Sequence, residues 1–273
     1  MTRSIALALV ALPFAFASAG CLVPADADEQ IASASAASAI QSARNAGNAN
    51  GVVQGVRSAQ QSDACLSPAG VAAACAAEPT AGLYPDGCAV KTASGDDLHV
   101  DYHDCTGPFG AVHVSGGADA SFTKGPSCDE VDASMHDTGD LTANGAPLRY
   151  EASASIRVDG GTADVGWDAT WDADTSAGHA TAEDHLQLAQ DLGTFCVTAS
   201  GTGRATLDGA RVDSNVEGFA VCPDACPTAG TLVVTASDGV WHGQITITFD
   251  GSATAHAVGS HGQRFDVPLV CGS

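Results

Sequence analysis

The residues whose types and spacing best fit a ligand site lie between Asp172 and Glu183. Oxygen-bearing side chains occupy positions 1, 3, 5 and 12 of this stretch, the spacing with which an EF-hand-like loop surrounds Ca²⁺. They are Asp172, Asp174, Ser176 and Glu183. Position 6, where that loop needs glycine, holds Ala177, and the flanking sequence is typical of strands rather than helices. The stretch is therefore a candidate calcium site, with a plain polar turn as the alternative.

A second candidate site combines imidazoles with a carboxylate. If Val100 and Tyr102 face the core, strand alternation places His99 and Asp101 together on the opposite face. Register parity then places His113 of the next strand on that face, nearly opposite Asp101. Neutral imidazole nitrogens beside an aspartate suit Zn²⁺ or Cu²⁺. We therefore expect either a zinc or copper site at these three polar residues or an ordinary solvated polar face.

The motifs of the common enzyme classes are not found in the sequence. It has no Gly-x-Ser-x-Gly elbow, no His-Glu-x-x-His, no P-loop and no dinucleotide fingerprint after a strand. Paired carboxylates could serve a glycosidase, but aromatic residues for sugar stacking are few: three Trp, three Tyr and eight Phe. The sequence favours a non-catalytic binding or structural module, with a secreted or envelope hydrolase of unrecognised acidic site as the alternative.

Short strands must position these residues. After Cys65, runs rich in Val, Ile, Thr, Phe and Trp alternate with Asp-Gly and Gly-Gly pairs, which predicts hairpins between sequence neighbours. Trp167 and Trp171 alternate with Asp168 and Asp172, so one face of the sheet is apolar and the other acidic. We predict an all-β fold, an antiparallel meander curled into a sandwich or a barrel-like sheet.

The charge balance limits the partners. Ten Lys and Arg against 32 Asp and Glu give a net charge of −22 over 273 residues. Such a chain repels phosphate backbones, so nucleic acid is excluded as a partner, whereas cations and cationic ligands are favoured. Which protein or glycan binds the chain is not encoded in a recognisable pattern.

The cysteines predict an oxidised, exported protein. Ten are present, and without Cys21 nine remain, which allows four disulfides and one buried thiol. Hairpin geometry predicts two bridges, and a third would pin the C-terminus. The pairs are Cys88 with Cys105, Cys196 with Cys222, and Cys226 with Cys271. A metal or redox role for the Cys222 to Cys226 motif is the alternative.

The N-terminus carries an export signal. Arg3 precedes an apolar run from Ile5 to Phe16, which is too short to span a membrane, and small residues follow it. Ser18-Ala19-Gly20-Cys21 resembles the lipobox of bacterial lipoproteins, which implies cleavage before Cys21 and acylation of its sulfur. Leu22 resembles the outer-membrane-sorted members of that class. The resemblance implies a location at the outer membrane through a lipid anchor, and ordinary cleavage after Ala19 with secretion is the alternative.

The chain divides into three parts at the level of sequence. Residues 1–20 are the signal peptide, 21–62 an Ala- and Ser-rich tether that is helical or disordered, and 63–273 a disulfide-stapled β domain. The turn-rich stretch 125–147 is where two β subdomains would meet if the domain were double.

Overall fold

The fold is seen in a computed structural model that describes residues 65–77, 85–106, 113–175, 178–207, 210–222, 225–237, 242–269 and 271. The signal peptide, Cys21, the tether and Ser176 lie outside these residues. The elements in chain order are α1 (Pro68–Ala77), β1 (Ala89–Ser94), β2 (Asp97–Thr106), β3 (His113–Lys124), β4 (Glu130–Asp137), β5 (Thr142–Ala143), β6 (Ala146–Asp159), β7 (Thr162–Thr175), β8 (Gly178–Asp191), β9 (Val197–Leu207), β10 (Ala210–Val221), β11 (Ala229–Ser237), β12 (His242–Thr248), β13 (Thr254–Gly259) and β14 (Arg264–Pro268).

The strands form one antiparallel sheet in which almost every strand pairs with its neighbours in sequence. The order is β1-β2-β3-β4-β6-β7-β8-β9-β10-β11-β12-β13-β14, and the short strand β5 pairs with β3 and β6. The all-β meander predicted from the sequence is thereby confirmed. The sheet is continuous through residues 125–147, because β4 is hydrogen bonded to both β3 and β6.

One face of the sheet, the apolar face, is buried. Trp167 and Trp171 of β7 lie on it with exposures of 2% and 7%, and small alanines of β6 and β8 surround them. Tyr102 of β2 and Val114 of β3 pack on the cluster that contains Trp171. Because several strands separate these residues along the sheet, the sheet curls toward its own apolar face instead of lying flat.

The apolar face carries separate clusters in its two halves. In the N-terminal half, α1 packs against the first three strands and buries Val71 and Ala72 completely. In the C-terminal half, strands β10 to β14 have a core of their own, in which Phe219 and Phe249 meet edge to face at 4.9 Å. Between the two halves, Leu186 of β8 and Val216 of β10 are only half-buried, whereas Ala182 of β8 and Val197 of β9 are buried.

Four disulfides staple the sheet. The three predicted bridges, Cys88–Cys105, Cys196–Cys222 and Cys226–Cys271, are confirmed. A fourth, Cys65–Cys128, fixes the start of α1 to the turn before β4. Cys75 of α1 is buried and keeps its thiol. Four disulfides indicate an oxidising, extracytoplasmic environment.

Two β-bulges shift the register. Within β2 the pairing with β3 slips between Tyr102 and Cys105, and Asp104 takes a positive φ of 51° there. Within β10 it slips between Val216 and Phe219, where Gly218 has a φ of 58°. Each bulge reverses which residues of its strand face the core. No helix in the described part of the chain is long and apolar enough to span a membrane.

Candidate binding face

The other face of the sheet, the polar face, is built from rows of side chains that run across the strands. One row crosses from β1 to β12 by direct cross-strand pairing. Its members are Thr92, His99, Asp119, His136, Glu151, Thr170, Glu183, Arg204, Asp213, Thr235 and Gln244. All of them are polar, and none is buried. The alternation predicted at Trp167 and Asp168 therefore extends over most of the molecule.

A second row runs parallel to the first, two residues further along each strand. It begins with Ser94, Asp97, Ser121, Ser134, Ser153, Asp168, His185, Thr202 and Asn215. Beyond β10 the row turns mixed, with Val233 and Val258 among its members. The uninterrupted polar surface thus lies over β1 to β10.

Two grooves lie along the polar face and share Glu183 and Arg204. One has a volume of about 780 Å³ and is bordered by polar side chains of β6 and β7, among them Glu151 and Asp172. The other has a volume of about 520 Å³ and includes Asp213. Acidic residues outnumber arginines along both, so the grooves favour a cationic occupant.

Three histidines of this face hold an aspartate at each ring nitrogen. The Nδ1 of His99 lies 2.6 Å from Asp119, and its Nε2 lies 3.2 Å from Asp101. His179 lies in the same way 3.0 Å from Asp174 and 3.2 Å from Asp172. An imidazole can donate from both nitrogens only when it is protonated.

The third of these histidines is His256 of β13. Its Nδ1 lies 2.9 Å from Asp266 and its Nε2 lies 3.6 Å from Asp250. Hydrogen bonds to these aspartates raise the pKa of all three imidazoles, with Asp119, Asp174 and Asp266 as the respective main causes. The polar face therefore gains positive charge as the pH falls toward 6.

Two arginines of the polar face also form ion pairs with carboxylates. Arg204 bridges Glu183, at 2.8 Å, and Asp213, at 2.9 Å, and Arg211 reaches Asp213 from the same strand at 2.6 Å. The hydrogen bond from Arg211 lowers the pKa of the Asp213 carboxyl. The Asp213 carboxylate is thus held ionised, and the arginines orient both Asp213 and Glu183.

Three residues of the predicted calcium loop, Asp172, Asp174 and Glu183, are strand residues, and Ser176 lies outside the described residues. Asp172 and Asp174 lie on the polar face of β7, and both contact His179 of β8. Glu183 pairs with Arg204 and stands opposite Thr170, two positions away from the pair formed by Asp172 and Thr181. Asp172, Asp174 and Glu183 are thus spread along two paired strands and do not surround one point as the ligands of an EF-hand-like loop do.

The predicted zinc or copper site is brought together only in part. Asp101 and His99 do share the polar face and lie in contact. Asp101 faces Gly117, however, whereas His113 pairs with Thr106 and contacts Asp104. The expected position of His113 opposite Asp101 is wrong, because the hairpin pairs Asp101 with Gly117, four residues further along β3, and the bulge after Tyr102 shifts His113 by one residue more. The described residues contain no group of three or more His, Cys, Asp or Glu placed to hold a metal ion.

The sequence reasoning missed Asp184, which lies on the apolar face of β8 between Ala182 and Leu186. A signal for it exists, because the run from Ala180 to Leu188 alternates small or apolar residues with polar ones and Asp184 stands at an apolar position. Burial raises the pKa of this carboxyl to about 6.

Comparison with protein-family models finds no family that matches the chain, and comparisons with curated proteins and with solved structures find no match either.

Proposed function

We propose that this protein is a lipid-anchored module of the bacterial cell envelope that binds a basic partner on its polar face without catalysing a reaction. The observation that carries the proposal is the unbroken row of polar side chains from Thr92 to Gln244, with two acidic grooves along it. Because none of the side chains in this row is buried, the row offers binding sites at the regular spacing of the strands. Its excess of negative charge attracts a cationic peptide or protein segment.

The anchoring part of the proposal is supported by the lipobox resemblance at Cys21 and by the oxidised cysteines. Two or three acyl chains on Cys21 would hold the protein at the outer membrane, since each buried methylene adds about 0.8 kcal/mol. Intact mass measurement of the protein from native membranes tests this. A mass that matches an unmodified chain beginning at Gly20 would contradict the lipid anchor.

The binding part is tested with a ten-residue lysine peptide as the cationic probe and a ten-residue glutamate peptide as its opposite. The variant Glu151→Gln, Asp172→Asn, Glu183→Gln removes three charges from the grooves. A matched control, Asp86→Asn, Asp96→Asn, Asp159→Asn, removes three exposed charges outside the grooves, two from turns and one from the end of β6. We expect the groove variant to bind the lysine peptide at least about tenfold more weakly at low salt and the control to lose less than about threefold. Equal losses would show attraction by overall charge alone and would contradict a defined face.

A hydrolase is the second candidate function, and Asp184 is the observation that favours it, because its raised pKa would suit a general acid. Glycoside hydrolysis of the usual kind needs a second carboxyl group on the same side of the substrate. The charged neighbours of Asp184 on its strand, Glu183 and His185, belong to the opposite face of the sheet. Binding therefore remains the better supported function.

A further inference from the structure

The larger groove of the polar face contains two charged side chains without a partner among the described residues. Arg149 and Glu151 lie two positions apart on β6, both exposed and both lining the groove of about 780 Å³. Neither side chain forms an ion pair or a hydrogen bond within the described part of the chain. Arg157, Arg204 and Arg211 all pair with carboxylates, so a free arginine in an acidic groove calls for an explanation.

Two carboxylates beside Arg149 are engaged elsewhere. Asp172 stands opposite Arg149 on β7, but its Oδ2 lies 3.2 Å from the Nε2 of His179. Asp137 also lines the groove, and its two oxygens accept backbone N–H groups at 2.9 Å and 3.0 Å. The guanidinium of Arg149 therefore has its N–H donors available to an occupant of the groove.

Glu151 is free for a similar reason. Its cross-strand neighbours are Thr170 of β7 and His136 of β4. Thr170 is uncharged, and the Nε2 of His136 lies 4.0 Å from a carboxylate oxygen of Asp119. The Glu151 carboxylate consequently offers acceptor sites to a cation that no described side chain supplies.

The smaller groove differs from the larger one in how its charges are paired. Its carboxylates, Glu183 and Asp213, both contact Arg204, and Asp213 also contacts Arg211. These charges thus compensate one another within the fold. Of the two grooves, the larger one combines an unpaired cation with an unpaired anion on one strand, so an occupant gains two ion pairs there if it carries charges of both signs.

The spacing of Arg149 and Glu151 specifies the shape of that occupant. Residues two apart on a strand point to the same face of the sheet and are separated by about 7 Å. An extended peptide places its own side chains i and i+2 at the same separation. A basic residue at i and an acidic residue at i+2 can therefore meet Glu151 and Arg149 together. The planar guanidinium can bind the acidic residue through two parallel hydrogen bonds.

We propose that the larger groove recognises an extended peptide segment in which a basic side chain pairs with Glu151 while an acidic side chain two positions away pairs with Arg149. The inference rests on the proposed function, because it specifies the basic partner of the polar face as one that carries an acidic residue among its basic ones. It adds a charge pattern to the attraction by net charge, since a negatively charged surface alone would favour any cationic chain.

The test uses three capped, fluorescently labelled peptides of seven residues and the exported, oxidised protein carrying Cys21→Ala. The mixed peptide is Lys-Ser-Glu-Ser-Lys-Ser-Lys. Its isomer, Lys-Glu-Ser-Ser-Lys-Ser-Lys, has the same net charge but turns the glutamate to the opposite side of an extended chain. The all-basic peptide is Lys-Ser-Lys-Ser-Lys-Ser-Lys. We expect the mixed peptide to bind about fivefold more tightly than its isomer in fluorescence anisotropy at physiological salt.

Arg149→Gln separates the charge pattern from the net charge. It should weaken binding of the mixed peptide about fivefold, because the glutamate loses its partner, and should tighten binding of the all-basic peptide about threefold, because a repulsion is removed. Glu151→Gln should weaken binding of both peptides about threefold. The matched control, Arg264→Gln, removes another exposed and unpaired arginine of the described chain, on β14 and outside both grooves. It should change each affinity by less than about twofold.

The proposal is overturned if the mixed peptide and its isomer bind the parent protein equally. It is also overturned if Arg149→Gln changes the affinities for the mixed and the all-basic peptide in the same direction. Either result leaves the proposed function standing, provided that the groove variant still loses more affinity for the ten-residue lysine peptide than its control does. Equal losses in that experiment, or no binding of any peptide, would contradict the proposed function and this inference together.

Discussion

Asp119 and Asp184 are both mid-strand aspartates, but they lie on opposite faces of the sheet and have different neighbours. Asp119 lies 2.6 Å from the imidazole of His99 and has His136 within 4.0 Å. Asp184 has small and apolar neighbours and no donor among the described residues. Asp119 thus keeps two histidines beside it, whereas burial raises the pKa of the Asp184 carboxyl to about 6. The comparison separates a carboxylate that shapes a charged surface from one that the fold disfavours in its ionised form.

The largest expected effect concerns the disulfide that holds α1 against the apolar face. The bridge Cys65–Cys128 closes a span of 63 residues and fixes α1 over the first strands, where Leu66 N also donates to Cys128 O at 2.7 Å. Replacing both cysteines by serine should lower the free energy of unfolding by about 4 kcal/mol. Urea unfolding measures this. The matched control, Cys88 and Cys105 to serine, opens a span of only 17 residues and should lose about 3 kcal/mol; a larger loss there would contradict the loop-length argument.

The next effect contrasts neighbouring residues on opposite faces of one strand. Ile247 of β12 is completely buried on the apolar face, whereas Thr246 belongs to the polar face. Ile247→Ala should cost about 3 kcal/mol because it leaves a cavity, and Thr246→Ala should cost less than about 0.5 kcal/mol. Both values are read from chemical denaturation at one pH. Similar losses at the two positions would show that the faces do not differ as described.

Asp184→Asn should stabilise the protein at pH 8. The pKa of the carboxyl is raised from 3.8 to about 6, so the folded chain holds this proton more tightly than the unfolded chain. The contribution to stability is complete below about pH 4 and is lost as the pH rises through 6. The asparagine side chain is uncharged at every pH, so the variant keeps this contribution. It should therefore be more stable than the parent by up to about 3 kcal/mol at pH 8.

Denaturation curves at pH 4 and pH 8 check this prediction. The advantage of Asp184→Asn must shrink toward zero at pH 4. An advantage that is equal at both pH values would mean that it comes from packing and not from the charge of the carboxylate.

The smallest effect concerns the histidines of the polar face. Their aspartate partners raise the pKa of His99, His179 and His256, so the stability gained from these pairs is complete below about pH 6.5. It is lost as the pH rises through the folded-state pKa values. Replacing all three by glutamine should lower the Tm by a few degrees, roughly 3 °C at pH 6, with no difference left near pH 9. His103→Gln, at a histidine outside these ion pairs, is the control, and a loss of Tm as large as that of the triple variant would contradict the prediction.

Much of the fold follows from the sequence, because alternation and turn residues act locally. The hairpin pairs Cys196–Cys222 and Cys88–Cys105 were predictable from turns that bring the two cysteines side by side. The strand β4 was not expected, since the Gly, Pro and Asp residues around it hide the alternation of Val131 and Ala133. The bulge after Tyr102 could not be foreseen, because Asp104 is a non-glycine residue at positive φ.

Predicting the candidate site required the exact strand register, whereas predicting the fold did not. Which aspartate meets which histidine changes with a shift of a single residue, so the triad of His99, Asp101 and Asp119 was found only in part. The role of Asp184 was open to sequence reasoning, yet one polar residue in an apolar phase is usually a local irregularity. The pairing of Asp184 with Ala169 and Gly203 is what places its carboxyl on the apolar face.

The meander also governs how the chain acquires its structure. Nearly every strand pairs with the strand just before or after it, so few strand contacts join segments that are far apart in the sequence. Each new hairpin can add to the growing edge as the chain leaves an export channel from its N-terminal end. Two of the four bridges close within single hairpins and can form during this growth, whereas Cys65 must wait until the first three strands are complete before it meets Cys128. The order of the strands thereby sets an order of oxidation, with the bridge that fastens the helix later than the hairpin bridge of β1 and β2.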